Sequence, residues 1–128
     1  MWLIVNRPGT NLGAFVSIVA KDRKGTSSGK TPDSILSVRA RRAEDLIALF
    51  PGCRVHDGRG SGDYQFRCFQ TREAVAKMLA SQAIDLSATN FKSSISGDRS
   101  LADAAHEIWD SLAALQPIPP YGRRARAG

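Results

Sequence analysis

A run of residues in the first third of the chain has the composition of a phosphate-binding loop. The run from Gly25 to Thr31 ends in Gly-Lys-Thr, which in such loops brings a lysine to the phosphates and a hydroxyl to magnesium. The spacing is one residue short, because Lys24 occupies the place of the first glycine. The segment after Asp33 is predicted as a strand, so no helix N-terminus would follow to hold a phosphate. We therefore interpret the run as a basic loop between two strands.

An aromatic segment in the middle of the chain matches part of an RNA-recognition module. Tyr64, Phe66 and Phe69 fall at the third, fifth and eighth places of the octamer with which that module stacks bases. Gly62 and Asp63, however, stand where a basic residue and a glycine are expected. Strict alternation also places Tyr64 and Phe66 on one face of a strand. We predict that this face is core rather than a base-stacking surface.

The cysteines and histidines suggest little reactive chemistry. A symmetric hairpin would place Cys53 opposite Cys68, with Cβ atoms about 4.5–5.5 Å apart, close enough for a redox contact. Two reduced cysteines used as small core residues are the favoured interpretation. His56 and His106 have no cluster of further ligands around them in the sequence. The sequence therefore predicts neither a metal site nor a cofactor.

Basic residues are the remaining candidates for a functional surface. The net charge is +6, and residues 1–42 alone hold eight Lys and Arg against two acids. Residues 43–116 hold seven bases against ten acids, and the last twelve residues add three arginines. Such asymmetry is compatible with an anionic partner, and equally with a solvated surface. The residues predicted to contact a protein or nucleic-acid partner are Lys21, Arg23, Lys24, Lys30, Arg39, Arg41 and Arg42.

Short strands and helices must position these residues. The clearest unit is a strand followed by a helix, in which Thr71 can serve as the N-cap. Another helix is predicted to start at Ser100, with Asp103 completing an approximate capping box. The apolar residues between positions 83 and 96 fit neither the helical period of 3.6 residues nor the strand period of two. Strands are predicted at residues 2–5, 15–20, 35–40, 53–56 and 63–69, and helices at residues 42–50, 71–82 and 100–115.

This order of elements predicts an α+β fold. We expect an antiparallel sheet of about four strands with helices on one face, a ferredoxin-like two-layer sandwich, plus a C-terminal helix. Residues 1–116 would form a single domain and residues 117–128 a mobile Pro/Arg-rich tail. The composition, 42% hydrophobic and 23% charged, is that of an ordinary globular protein. The absence of a long apolar run and the two cysteines predict a cytoplasmic protein without a membrane span.

Six short segments carry a resemblance to other proteins: residues 15–19, 36–41, 44–46, 49–52, 63–67 and 90–92. They resemble a group of small bacterial and phage-borne proteins of unassigned function. The resemblance covers about residues 14–112, and it implies a compact fold and a mobile-element origin. Small phage proteins often bind host machinery, including as inhibitors of defence systems, which is an analogy only.

Three functional hypotheses follow from the sequence. The leading one is a non-catalytic module that binds a protein or nucleic acid through its basic surface. The alternative is a small enzyme with a site assembled near His56 or near Asn90-Phe91-Lys92. The third is a structural or oligomeric role, for which we expect a large apolar patch on an open sheet face.

Overall fold

One antiparallel sheet runs through the part of the chain that the computed structural model describes, residues 1–21 and 35–122. Its five strands lie in the order β1-β2-β3-β5-β4. The strands are β1 Trp2–Asn6, β2 Gly13–Ala20, β3 Ile35–Ala40, β4 His56–Asp57 and β5 Phe66–Thr71. The helices are α1 Ala43–Leu49, α2 Arg72–Ile84, α3 Phe91–Ser94 and α4 Arg99–Leu112, followed by short 3-10 turns at Ala113–Leu115 and Pro120–Gly122. The predicted α+β class is confirmed.

The first face of the sheet carries the main core. Alternate residues of the central strands point to this face and are almost fully buried, as expected for strands with one packed side. Helices α1 and α2 cover them and contribute Leu46 and Met78. The predicted hairpin between β2 and β3 is confirmed, with Ile18 opposite Val38. The buried residues of this core are Ala14, Val16, Ile18, Val38, Ala40, Leu46, Leu49, Phe50, Cys68, Val75 and Met78.

The second face of the sheet is partly covered by α4. Leu101 and Ala105 of this helix, together with Ile95, pack against Ile4 and Phe15. The structure therefore differs from the prediction of about four strands with helices on one face. The physical reason is that apolar residues follow one another along β1 and β2, and successive side chains of a strand point to opposite faces, so both faces of these strands need burial.

The connection from β3 to β4 passes over the strand that lies between them. Helix α1 joins β3 to β4, and β5 lies between these two strands. Both are antiparallel to β5, so β3 and β4 run in the same direction. Helix α2 leaves β5 directly, and the predicted cap is confirmed because Thr71 Oγ1 accepts a hydrogen bond from the Ala74 amide at 3.0 Å. The strand-to-helix unit is thus correctly predicted.

Tyr64 corrects the prediction for the aromatic strand. β5 begins at Phe66, so Tyr64 precedes it rather than sharing its alternation. Phe66 and Cys68 belong to the core of the first face, as predicted. The Tyr64 ring is buried, but it lies 6.4 Å from the ring of Phe15, whose side chain is on the second face. Tyr64 therefore belongs to the second face of the sheet and not to the core of the first face.

The register of the β4–β5 hairpin also differs from the prediction. His56 lies opposite Arg67, whereas a symmetric hairpin would have placed Cys53 opposite Cys68. Cys53 precedes β4, and Cys68 of β5 is opposite Val38 on the other neighbouring strand, β3. Both cysteines are free thiols. The predicted cross-strand position is wrong because the turn residues Asp57 to Gln65 form their own hydrogen-bonded loop.

Several predictions fall partly or wholly outside the described residues. The phosphate-loop-like run and Arg23, Lys24 and Lys30 lie there, as do the three arginines of the tail. Residues 117–122 of the predicted tail are described and end in a 3-10 turn. The N-cap of α4 is Asp98, two residues before the predicted cap Ser100, so the helix begins at Arg99.

Candidate functional site

An aromatic groove lies between the second face of the sheet and α4. Its volume is about 950 Å³, close to the upper end of the range of about 300–1,000 Å³ found for ligand sites. Its basic residues are Arg41, Lys92 and His106, and no aspartate or glutamate is among the described residues that line it. We call this surface the aromatic groove, and its aromatic residues are Trp2, Phe15, Tyr64, Phe91, Trp109 and Tyr121.

The sheet side of the aromatic groove is a chain of ring contacts. Trp2 and Phe15, on neighbouring strands, meet edge to face with centroids 6.2 Å apart. Tyr64 follows, and the guanidinium of Arg41 lies 4.4 Å from its ring centroid. Arg41 Nη1 also donates to the carbonyl of Asp63 at 2.8 Å. Cation–π contact and this hydrogen bond together hold the positive charge beside an aromatic surface.

The helix side of the aromatic groove repeats this arrangement. The rings of His106 and Trp109 stack with centroids 6.3 Å apart, and the rings of Trp109 and Tyr121 stack with their centroids also 6.3 Å apart. Lys92 Nζ lies 4.8 Å from the Trp109 ring centroid and 3.5 Å from His106 Nδ1. Both sides therefore present aromatic rings next to a cation.

The outer rings of the aromatic groove are accessible. The side chain of Trp2 is 75% exposed and that of Tyr121 is 88% exposed. Large aromatic surfaces in water are unfavourable unless a partner covers them, and accessible apolar patches commonly mark interaction sites. Tyr121 also has a positive φ of 57°, which is uncommon for a residue with a side chain. The aromatic groove is thus an exposed surface rather than a closed core.

An ion-pair network fixes α4 and so fixes the helix side of the aromatic groove. Arg42 donates Nη1 and Nη2 to the two carboxylate oxygens of Asp98 at 3.0 and 2.9 Å. Its Nη2 also lies 3.0 Å from Asp45, which Arg7 contacts at 2.8 Å. The side chains of Asp45 and Asp98 are only 2% and 8% exposed. Paired, buried charges of this kind are costly to break.

Backbone amides complete the network. Asp98 accepts hydrogen bonds from the amides of Leu101 and Gly13 at 3.2 and 3.3 Å. Asp45 accepts one from the amide of Phe15 at 3.0 Å. Asp98 therefore caps α4 and at the same time joins it to the start of β2.

The network shifts the titration of its members. The hydrogen bond from Arg42 holds the pKa of Asp98 below its usual value, although burial opposes this. Reciprocally, the hydrogen bond to Asp98 raises the pKa of Arg42. Both shifts favour the charged forms, so the pair stays ionised at neutral pH.

Two glycines allow α4 to approach the sheet. A Cβ atom on Gly13 would lie 2.6 Å from Leu101 Cδ2 and 3.0 Å from Ile95 Cγ2. A Cβ atom on Gly97 would overlap the side chain of Asn11. Only residues without a side chain fit at these two positions. The close packing of α4 therefore depends on them.

A row of polar and basic residues crosses the second face beside the aromatic groove. Arg39 and Arg67 lie directly opposite each other on β3 and β5, and His56 lies opposite Arg67 on β4. Ser17 is opposite Arg39 and accepts a hydrogen bond from its Nη2 at 2.8 Å. We call this set the basic row, and in spatial order it consists of Ser17, Arg39, Arg67 and His56.

Half-exposed aromatic surface accompanies the basic row. Phe69, on the same face, is 38% exposed, and its ring lies 5.5 Å from that of His56. Lys21 Nζ is 4.8 Å from the Phe69 centroid. The guanidinium of Arg39 lies over a different ring, 4.8 Å from the centroid of Tyr64. The part of this face around the basic row is therefore both basic and aromatic. The structural or oligomeric role remains a prediction.

The structure separates the predicted basic residues into three environments. Arg41 lines the aromatic groove. Arg39 and Lys21 lie on the second face beside it. Arg42 is occupied by Asp45 and Asp98. Four residues of the seven are described, and three of them contact an aromatic ring.

Sequence reasoning missed the aromatic groove itself. Its rings come from β1, β2, the segment before β5, α3, α4 and the last turn, and most of these are distant from one another in the sequence. The available signal was weak: Trp109 lies beside the apolar stripe of its helix, and Tyr121 lies in a segment predicted to be mobile. Of the two segments named for an enzyme, Asn90-Phe91-Lys92 lines the aromatic groove, whereas His56 belongs to the basic row.

Metal ligands and membrane-spanning helices among the described residues, as well as similar proteins, were also sought, and none was found that would assign a function. Within the described residues, no group of three or more His, Cys, Asp or Glu side chains is placed to hold a metal ion. No helix in the same part of the chain combines the length and apolarity needed to cross a bilayer. Comparison with protein-family models, curated proteins and solved structures finds no match to this chain.

Proposed function

We propose that this protein is a non-catalytic binding protein for single-stranded nucleic acid, which it holds in the aromatic groove. The observation that supports the proposal is the pairing of aromatic rings with cations on both sides of one groove. The described residues that line it include three basic side chains and no acid. The ligand should therefore combine planar apolar rings with negative charge.

Single-stranded nucleic acid has this combination. Unpaired bases expose their faces, and stacking on a protein aromatic ring contributes about 1–3 kcal/mol per base. Trp2 and Tyr121 are the most exposed rings available for such stacking. Arg41 and Lys92 lie beside the rings, where they can meet the phosphates that link the bases. In a duplex the base faces are hidden, so a single strand fits this surface better.

The predicted contacts divide accordingly. Arg41 is the member of the predicted set that we place in the nucleic-acid contact. Lys21 and Arg39 lie nearby on the same sheet face. Arg42 already pairs with two carboxylates, so we assign it to the support of α4. Arg23, Lys24 and Lys30 remain predictions.

A protein partner is the main competing interpretation. Exposed tryptophan, tyrosine and arginine are also typical of protein–protein hot spots. The lining of the aromatic groove carries basic residues and no acid among the described residues, which favours a polyanion. A neutral apolar protein surface would leave Lys92 without a counter-charge and Arg41 with only the exposed carboxylate of Asp63, 3.7 Å away. Inhibition of a host defence system, with a phage or mobile-element origin, would be compatible with either partner and also remains a prediction.

The enzyme alternative has less support. Asn90, Lys92 and His106 do meet in the aromatic groove, and Lys92 Nζ is within 3.5 Å of His106 Nδ1. General acid–base catalysis needs groups converging on a reacting atom, whereas most of this lining is aromatic or aliphatic. Such a lining favours stacking over chemistry.

A ferredoxin-like relationship is part of the proposal for the fold. The support is the β3–α1–β4 connection with β5 inserted between its strands and α2 following β5. In a ferredoxin-like fold the strand after the second helix lies on the free side of the first strand. Here β2, which precedes β3 in the chain, takes that place beside β3. We propose that β2–β5 with α1 and α2 form the ferredoxin-like unit, to which β1 and α4 are added.

A titration with labelled oligonucleotides tests the function. Thymidine and uridine dodecanucleotides and a duplex of the same length should be compared by fluorescence anisotropy, with the unmodified protein, Tyr121→Ala and Arg41→Gln. We expect both single strands to bind more tightly than the duplex, and each variant to lose about five- to a hundredfold in affinity, as expected for one stacked base or one charged contact.

The matched control is Ile84→Ala. Ile84 is 81% exposed and lies on α2, which packs on the first face of the sheet. This variant removes a similar amount of exposed apolar surface and should leave the affinity unchanged. Failure of every oligonucleotide to bind, or equal losses in Tyr121→Ala and Ile84→Ala, would exclude the proposal and favour a protein partner.

A further inference from the structure

The basic row has the features of an anion-binding site. Arg39 and Arg67 are directly opposite neighbours in the sheet. Like charges in this position destabilise a sheet, by an amount similar to that gained from an opposite-charge pair. No acidic side chain of the described residues forms an ion pair with either arginine. A negative ligand between them would remove this repulsion.

Arg39 has unused hydrogen-bonding capacity. Its Nη2 donates to Ser17 Oγ, whereas its Nε is buried and has no hydrogen-bond partner. An unpaired buried donor is unfavourable, and a guanidinium donates most strongly to carboxylate or phosphate. Its guanidinium also lies over the ring of Tyr64, which lines the aromatic groove. Arg39 therefore connects the two surfaces.

The basic row continues from the aromatic groove across the whole sheet. Trp2 of the groove is opposite Ser17, and the row then passes through Arg39 and Arg67 to His56 at the β4 edge. Neighbouring strands are about 4.8 Å apart, so the path from β1 to β4 is about 19 Å long. Phe69 adds a half-exposed ring beside its far end.

We infer that the basic row is a phosphate-contacting track, along which a single strand that enters the aromatic groove continues across the second face of the sheet to β4. The inference rests on the proposed function, because it takes the same ligand and extends its path. It assigns phosphate contacts to Arg39 and Arg67. A short oligonucleotide would occupy only the aromatic groove, whereas a longer one would also reach Arg67.

The test compares two ligand lengths with one variant and its control. A thymidine trinucleotide and a thymidine dodecanucleotide are titrated against the unmodified protein, Arg67→Gln and Lys77→Gln over a range of salt concentrations. Lys77→Gln removes the same charge from α2 on the opposite side of the sheet. Binding is followed by tryptophan fluorescence, because both tryptophans line the aromatic groove.

The inference predicts a length-dependent loss. Arg67→Gln should weaken binding of the dodecanucleotide several-fold and lower the salt dependence of its affinity by about 0.7 in log–log slope, the value for one phosphate contact on a single strand. It should leave the trinucleotide unaffected, and Lys77→Gln should change neither ligand. In the absence of nucleic acid, Arg67→Gln should raise the melting temperature, since it removes the repulsion with Arg39.

The outcomes separate this inference from the proposed function. If both lengths bind and Arg67→Gln behaves like Lys77→Gln, the track is excluded while binding in the aromatic groove stands. An equal loss for both lengths also contradicts the track, because Arg67 would then act on the groove. If neither length binds, the proposed function fails and the track fails with it. A lowered melting temperature of Arg67→Gln would contradict the like-charge argument.

Discussion

Replacing Asp98 with asparagine should uncouple α4 from the sheet. Asp98 accepts four hydrogen bonds, two from the guanidinium of Arg42 and one each from the amides of Leu101 and Gly13. Each carboxylate oxygen accepts two of them. Asparagine has a single acceptor oxygen, so in either orientation its NH2 group faces two donors. The substitution keeps the shape of the side chain and removes its charge.

The magnitude follows from the lost contacts. A hydrogen bond to a charged group contributes about 1.5–3 kcal/mol, and breaking a buried ion pair costs about 3–5 kcal/mol. The Arg42 side chain is 33% exposed and regains some water, which places the expected loss near the lower limit, about 3 kcal/mol. At about 3–5 °C per kcal/mol for a chain of this size, the melting temperature should fall by about 10–15 °C.

Urea unfolding followed by circular dichroism measures this loss. The control is Asp103→Asn, which removes a charge from an exposed position on the same helix and should change the free energy of unfolding by less than about 0.5 kcal/mol. If Asp98→Asn costs no more than this control, the network does not hold α4 and the reasoning is refuted.

The pH dependence gives a second readout of the same pair. Arg42 lowers the pKa of Asp98 in the folded protein, relative to about 3.9 in an unfolded chain. The stability from the charged pair is therefore present above about pH 4 and is lost as the pH falls through the folded-state value. The difference in unfolding free energy between the unmodified protein and Asp98→Asn should shrink as the pH falls below about 4. A difference that stays constant to pH 2 would contradict the assignment.

One further substitution and one chemical modification test the packing. Gly13→Ala should destabilise the protein by about 1–3 kcal/mol and alter tryptophan fluorescence, because its Cβ would displace Leu101 and with it α4. The control is Gly58→Ala, because Gly58 also lacks a positive φ and its Cβ would meet no atom closer than 3.4 Å. Burial raises the pKa of the Cys68 thiol to about 12, with a smaller effect from nearby Cys53, so iodoacetamide should fail to alkylate Cys68 at pH 8 until denaturant is added, as read by mass spectrometry. Rapid alkylation of Cys68 in the native protein would contradict its place in the core.

Local patterns in the sequence were sufficient to predict most of the strands and helices. The change of period at Thr71 predicted the strand, the cap and the helix that follow one another there, because all three depend on neighbouring residues. The alternation of Val38 and Ala40 likewise predicted the inward face of β3. What the patterns could not decide is which sheet face a helix covers. The apolar stripe of α4 has the same appearance on either face.

Long-range pairing limited the prediction of the site. Arg42 looked like a free surface cation because its partner, Asp98, is 56 positions away in the sequence. Tyr64 looked like part of a core strand because nothing local marks its turn toward Phe15 on the other face. The aromatic groove depends on both of these contacts. Its parts were visible in the sequence, but their assembly was not.

Indole resonances provide the most direct test of nucleic-acid binding in the aromatic groove. Trp2 lies on the sheet side and Trp109 on the helix side, and they are the two tryptophans of the chain. A ¹⁵N-labelled sample is titrated with the thymidine dodecanucleotide while both indole N–H signals are followed. We predict that both signals shift together and saturate at one binding constant, and that Tyr121→Ala weakens the binding. Tight binding that leaves both indole signals in place would contradict it.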